Sequence, residues 1–550
     1  MNLQGGKKMK NIIYKTRVKT LLVMISLLSV VGLTACFERE AGITINENKT
    51  QLYVGVYDGD LGTEWIFEEV FAKFEALYPD VQCIPIKQKE LYGDAFLLDN
   101  MPSEQTDVYF LNGNTYQNYV ARGRLLEITA EVTTKLDGED KSIEDKMNKT
   151  LQKHYVLDGK YYAVPFFDAI FGTVYDIDLF EKEGFYFNTD GELLCDSSNE
   201  TLSVGPNGVA GDYDDGLPAT YSQWKVLVDT MSYSGITPYT WTGEYPLYRQ
   251  RFITGVWADY EGKENFDLNM SLSGEYTFEG DTTPTQISIN NGYLLKNQKG
   301  QEYALQMAKY IIEKGYYTSN AFDTVNSHSD AQKQYLRSVR TGNKVAMIFE
   351  GGWWEKGAKA FMNTMADEYG QQYDYGVRRF GFMPAPKADD GSSSEGTTLI
   401  SSTGSSMVCI NANTKQPELA KDFLRFVHSE EALRTFTRVT GSVRPYEYTL
   451  TQEDRDEMTY FGNMMFDIYH DEKTQISYTG LYSDNVFIDE PVYLSYVNWS
   501  WGATINGSNT TDPFYEFSQN SSLTVKQYIQ GMQSRYSKSS WEKELGKYFK

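Results

Sequence analysis

A chain of 550 residues is too long for one compact core, so two or more domains are expected. Hydrophobic residues make up 41% and aromatics 15%, which is globular rather than disordered, and the 42 tyrosines suit surfaces that are part apolar and part wet. The formal charge is −24, and the six charges ahead of Cys36 are all basic, so the rest carries −30; a body that acidic repels phosphate backbones and anionic lipid heads, and no nucleic-acid partner is expected.

Residues 1–36 read as an address. The basic segment "KKMKNIIYKTRVK" precedes the apolar run "LLVMISLLSVV", Leu21 to Val31, which is too short for a typical spanning helix. "LTAC", Leu33 to Cys36, looks like a bacterial lipobox, in which Cys36 is lipid-modified and becomes the new N-terminus. The expected product is a body on the outer face of the cytoplasmic membrane, held by its lipid alone. Residues 37–49 are polar and charged, and read as the tether.

"QLYVGVYD" is the first predicted strand. Ile66, Phe67, Val70, Phe71, Phe74 and Leu77 then recur with helical spacing, and Pro79 closes that helix. "VQCIPI" is the next strand, so strand, helix and strand form a crossover unit of a parallel sheet. "TDVYFLNGN" is a further strand ending in a polar loop. The fold class is α/β. Two polar stretches, about 188–216 and 261–297, interrupt the pattern, and "TYSQWKVLVDTM" resumes helical spacing between them. "IFEGGWWEKGAK", Ile348 to Lys359, sets two tryptophans after two glycines. "PKADDGSSSEGTT" is a flexible candidate crossing, and "ELAKDFLRFVHSEEALRTFTRV" reads as late helices.

Catalytic motifs are scarce. The four histidines, His154, His328, His428 and His470, are isolated, and there is no HExxH, G-x-S-x-G or GxxxxGK[ST]. Cys83, Cys195 and Cys409 lack CxxC spacing; Cys83 and Cys409 read as small core residues, and one disulfide among the three stays open. "GDYDDGLP" clusters Asp212, Asp214 and Asp215, which could hold calcium, but the spacing is not that of an EF-hand and a solvated turn is the preferred reading. No metal and no cofactor are assigned. Carboxylates are abundant enough that a glycosidase pair, such as Asp168 with Glu350, stays open.

Several segments together resemble bacterial extracellular solute-binding proteins of family 1, the carbohydrate receptors of ABC importers. They are "FAKFEALYPDVQCIPI", "DVYFLNGNTYQNYVARGRLLEIT", "DGKYYAVPFFDAIFGTVYDIDLFEKEG", "TGNKVAMIFEGGW" (with Asn343 inserted before the lysine of the habitual G-K-x-A-M) and "PELAKDFLRFVHSEEALRTFTRVTGSVRP". The resemblance implies a two-lobed periplasmic-binding-protein-like fold with a hinge and a central ligand cleft. Crossings are placed near Pro165, within 386–398 and near Val443, giving lobe 1 as 50–165 with 390–443 and lobe 2 as 166–389 with 444–550. The two polar stretches are longer than a minimal member needs.

A sugar ring offers an apolar C–H face and a hydroxyl edge, so a receptor stacks aromatics on the one and points polar groups at the other. By its match to the family's G-x-W, Trp353 is the expected platform. Adjacent side chains at a strand end point to opposite faces, which sends Trp354 to the core. The other ligand-binding candidates are Asp58 and Trp65 after the first predicted strand, Asn112 and Asn114 after the third, Asp168 after the Pro165 crossing, Glu350 before the glycine pair, Arg444 after the late helices, and Trp241, where the resemblance implies a ligand-facing aromatic. The leading expectation is a monomeric binding protein, not an enzyme, that passes an oligosaccharide to ABC permease subunits. A surface glycan hydrolase and a non-transport glycan-sensing lipoprotein are the alternatives.

Overall fold

The structure is a computed structural model that describes residues 44–56, 61–62, 64–87, 94–111, 116–194, 201–401, 406–479 and 501–546, with the backbone of Glu38–Arg39. Cys36 and Cys195 lie outside these residues. In chain order the first strands are β1 (Glu38–Arg39), β2 (Thr50–Val56), β3 (Val81–Lys87), β4 (Val108–Leu111), β5 (Ala163–Pro165) and β6 (Ile170–Asp176). There follow β7 (Thr237–Thr240), β8 (Val345–Gly351), β9 (Phe380–Met383), β10 (Thr398–Ser401), β11 (Met407–Ile410) and β12 (Gln475–Tyr478).

These strands make two six-stranded sheets, one per lobe. The first runs β1-β3-β2-β4-β11-β5, with β2, β3 and β4 mutually parallel and β11 antiparallel to both of its neighbours. The second runs β12-β10-β6-β8-β7, and β9 pairs with the far half of β6. Both are almost wholly buried, which is why β4, β8 and β11 read as continuous apolar runs with no alternation. Cys83 and Cys409 are free thiols buried in the first sheet.

The first predicted helix is real but wound differently. Trp65–Phe71 is π-helical and Ala72–Leu77 continues as α-helix. The wider first turns bury Trp65, Ile66, Val70 and Phe71, while Leu77, expected on the apolar face, is exposed at the last turn. Residues 221–233 form the expected helix, with the Thr220 hydroxyl accepting from Gln223 N at its start. The polar stretch 261–297 is structured: a helix (Lys263–Ser271), a hairpin (Gly274–Tyr276 with Thr285–Ile287) and a 3₁₀ turn share a small core with Trp541 and Leu545. No helix among the described residues is long and apolar enough to cross a membrane.

Strand pairing locates the crossings. The chain passes from β5 to β6 through residues 166–169. β10 belongs to the second sheet and β11 to the first, so the second passage comes after Ser401, later than the stretch 386–398. Residues 387–398 are tied into lobe 2 by Asp259, which accepts from Lys387 Nζ (2.6 Å) and Thr398 Oγ1 (3.0 Å). Residues 443–457 still pack on lobe 1, where Asn148 N donates to Pro445 O and Arg434 and Arg438 face Asp454. The third passage therefore comes after Glu457, not near Val443.

Candidate functional site

The register fixes which ends of the two sheets face each other. In the first sheet Leu111, Met407 and Pro165 stand in one row; in the second, Tyr478, Ser401 and Ile170 do, beside the Phe171–Gly351 pair. The first two passages join these rows directly. The cleft lies between them, at the carboxyl ends of β2, β4, β8 and β12, where open α/β sheets place ligands. Asp58, Asn112 and Asn114 lie outside the described residues.

On the lobe 2 side, a run of rings stands at the Phe171–Gly351 end of the sheet. Phe171, at the start of β6, meets Trp353 edge to face at 4.8 Å and Tyr248 at 5.5 Å, and Tyr248 and Trp353 are 6.1 Å apart. Tyr245 continues the run at 6.5 Å from Tyr248 and 5.9 Å from His328, and is 41% exposed. Tyr245 and Tyr248 flank Pro246 at the start of helix Leu247–Glu261, which aims that end of the helix at the wall. Behind the rings, Glu350 Oε1 accepts from Gln332 Nε2 at 3.1 Å.

The glycines before the tryptophans have a steric purpose. A Cβ on Gly351 would stand 2.2 Å from the Trp353 ring and 2.7 Å from Ile170 O, so only glycine lets that ring fold back over the strand. Trp353 is the cap residue of helix Trp354–Tyr369, and this strand-to-helix change, not strand alternation, makes the two rings diverge. Trp354 is fully buried against Phe380, Phe461 and Tyr335. Trp353 is only 7% exposed, and the more accessible ring of this run is that of Tyr245.

Four other candidates are not at the cleft surface. Trp65 sits in the lobe 1 core, 5.8, 5.4 and 5.1 Å from Phe110, Phe166 and Phe436. Trp241 stacks on Phe349 (5.4 Å, 13°) inside lobe 2, because the chain after β7 turns inward. Arg444 is fully buried: its Nη1 donates to Val427 O and its guanidinium lies over Phe166, Phe436 and Tyr446. Burial holds its pKa below the usual range. Asp168 lies in the first passage, where its carboxylate accepts from Ser401 Oγ (2.8 Å), Tyr478 OH (3.0 Å) and Tyr469 OH. It is a tie between passages. Desolvation raises its pKa, and the three donors oppose that shift.

The lobes also meet at the rim. Lys356 Nζ lies 3.6 Å from Glu64 Oε2, beside an open cavity of about 410 Å³ lined by Gly62, Glu64, Lys356, Lys359 and Asn363 among others. Sequence reasoning missed Phe171, Tyr245, Tyr248 and Gln332. A signal for the tyrosines existed in "EYPLY", two aromatics flanking the proline that opens a helix.

A family profile described as "Bacterial extracellular solute-binding protein" matches residues 69–454. The chain belongs to that family. No curated protein sequence matches it. Among solved structures this solute-binding protein is similar to "SBP RafE in complex with raffinose", at TM-score 0.54 and 14% identity over 90% of this chain and 100% of the other. The apo-form of RafE from Streptococcus pneumoniae gives TM-score 0.53 and 13% identity, with 90% and 100% covered. A "Chitin oligosaccharide binding protein" gives TM-score 0.56 and 15% identity, with 90% and 99% covered. At such identities the likeness establishes the two-lobed fold.

Proposed function

We propose that this solute-binding protein captures an oligosaccharide between its lobes and presents it to the permease of an ABC importer, while a lipid on Cys36 holds it at the outer face of the cytoplasmic membrane. The observation that carries the reading is the ring wall of Phe171, Tyr245, Tyr248 and Trp353, with the Glu350–Gln332 pair behind it. Rings suit the C–H faces of successive sugar units, and polar groups between them suit hydroxyls. The likeness to RafE in complex with raffinose and to a chitin oligosaccharide binding protein supports the same ligand class. Ligand touched by both walls favours the closed arrangement over the open one, and that differential contact drives closure.

The hydrolase reading has less support. Of its two candidate carboxylates, Asp168 is enclosed by three hydroxyl donors, and Glu350 is buried and engaged by Gln332. Calorimetry against a panel of raffinose-type, chitin-type and xylan-type oligosaccharides, with chromatography of the recovered sugar, tests both readings. We expect saturable binding with every sugar recovered intact. Shortened products would establish hydrolysis, and no binding across the panel would overturn the sugar assignment. Cys36→Ser should release the protein into the medium; continued membrane retention would overturn the anchor.

A further inference from the structure

The stretch 201–217 does not behave as the solvated turn expected from its sequence. It wraps round Asp214, whose side chain is completely buried. Oxygens of Asp212, Asp214 and Asp215 come within 4.8 Å of one another. Asp214 Oδ2 accepts from Asn207 N (3.0 Å), and Asp215 Oδ2 from Gly211 N (2.8 Å). Asp214 Oδ1 and Asp215 Oδ1 are buried and have no hydrogen-bond partner. Gly205 closes over the first of these: a Cβ there would stand 2.6 Å from Asp214 Oδ1. Among the described residues no lysine, arginine or histidine pairs with any of the three carboxylates. A buried acceptor left without a donor is costly, and crowding like charges in a water-poor loop adds to the cost.

The geometry points to a calcium site formed by Asp212, Asp214 and Asp215. Calcium takes carboxylate oxygens at roughly 2.3–2.6 Å in flexible geometry, so oxygens sharing one ion stand no more than about 5 Å apart, and these lie within 4.8 Å of one another. The ion would offset two of the cluster's three negative charges and fill the two vacant acceptor positions without moving the backbone amides already bonded to the other oxygens. The loop is also bolted to the second sheet, since the Tyr213 hydroxyl bonds to Thr397 Oγ1 just ahead of β10. Calcium here stiffens the strand that leaves lobe 2 for the second passage.

The test uses the full chain, stripped with EDTA and titrated with calcium chloride alone. Calorimetry should show one site with Kd of order 10⁻⁴ M or tighter, and the melting temperature should rise with calcium concentration. Asp214→Asn and Asp215→Asn should each weaken binding by roughly tenfold or more, in keeping with loss of a charged ligand. Terbium gives a second readout on the unmutated chain, because Tyr213 sits between two of the ligands; its sensitised emission should appear on binding and vanish as calcium is added. Absence of both heat and a melting shift up to millimolar calcium would overturn the proposal. So would a calcium response that survives in folded Asp214→Asn.

Discussion

Two aromatic clusters in this molecule use the same residue types for opposite ends. In lobe 1, Trp65 and Phe166 pack on Phe436, Phe110 packs on Trp65 and Phe166, the buried Arg444 guanidinium lies over Phe166 and Phe436, and the cluster is sealed. In lobe 2, Phe171, Tyr248, Tyr245 and Trp353 run along the ends of strands, and exposure increases toward Tyr245. The difference is placement relative to the facing rows of the two sheets. A tryptophan following a strand is a platform only if the next element leaves it at that edge. The helix that begins at Trp65 instead turns its first residue under the sheet.

The strongest way to break the comparison is to empty the sealed cluster. Trp65→Ala should cost roughly 3–5 kcal/mol of folding stability, while sugar affinity of the remaining folded protein changes little. Denaturant unfolding with calorimetry decides this; a large affinity loss with intact stability would move Trp65 to the cleft. Trp354→Ala should behave like Trp65→Ala.

Next in size is the buried Glu355, beside Trp354 in the first turn of its helix. Burial raises its pKa to about 7, opposed by the hydrogen bond from Thr459, and Tyr375 faces it. A carboxyl whose folded pKa is raised binds its proton more tightly in the fold, so its contribution to stability falls as pH rises from about 4.5 to about 7. Glu355→Gln should therefore flatten the stability profile across that window and gain roughly 1–3 kcal/mol at pH 8. Melting curves at several pH values check it, and an unchanged slope would assign the pH dependence elsewhere.

On the open wall, Tyr248→Ala should weaken sugar binding by roughly 1–3 kcal/mol, about tenfold or more, with a small stability loss. Trp353→Ala should lose affinity and some stability together, since its ring is both wall and cover for Gly351. Equal stability losses with unchanged affinity in both variants would remove this wall from recognition. The smallest effect is expected at the rim. Glu64 is half exposed, so Glu64→Gln should shift affinity by under about 1 kcal/mol, and less in high salt. A larger loss would show that the Lys356–Glu64 contact helps hold the lobes together.

The apolar runs of β2, β3, β4 and β8 and the late helices were legible because they depend on local composition alone. The site was less so. Nothing local distinguishes Trp241, which stacks on Phe349, from Tyr248, which borders the cleft; burial depends on elements hundreds of residues away. Asp168 was found at its place but not in its role, because Tyr469 and Tyr478, its hydroxyl partners, come from far along the chain. The second crossing was misplaced because a Gly/Ser-rich stretch looks flexible, whereas Asp259 binds 387–398 firmly.

The passages between the lobes are laced sideways. Phe166 N donates to Ser406 O, Phe167 N to Ser406 Oγ, and Asp168 gathers hydroxyls from Ser401, Tyr469 and Tyr478. Parallel bands stitched edge to edge act as a strap. A strap bends easily about the line across its width, while twisting or sliding would tear the stitches. Relative motion of the two lobes that keeps these hydrogen bonds is therefore confined to bending about that line.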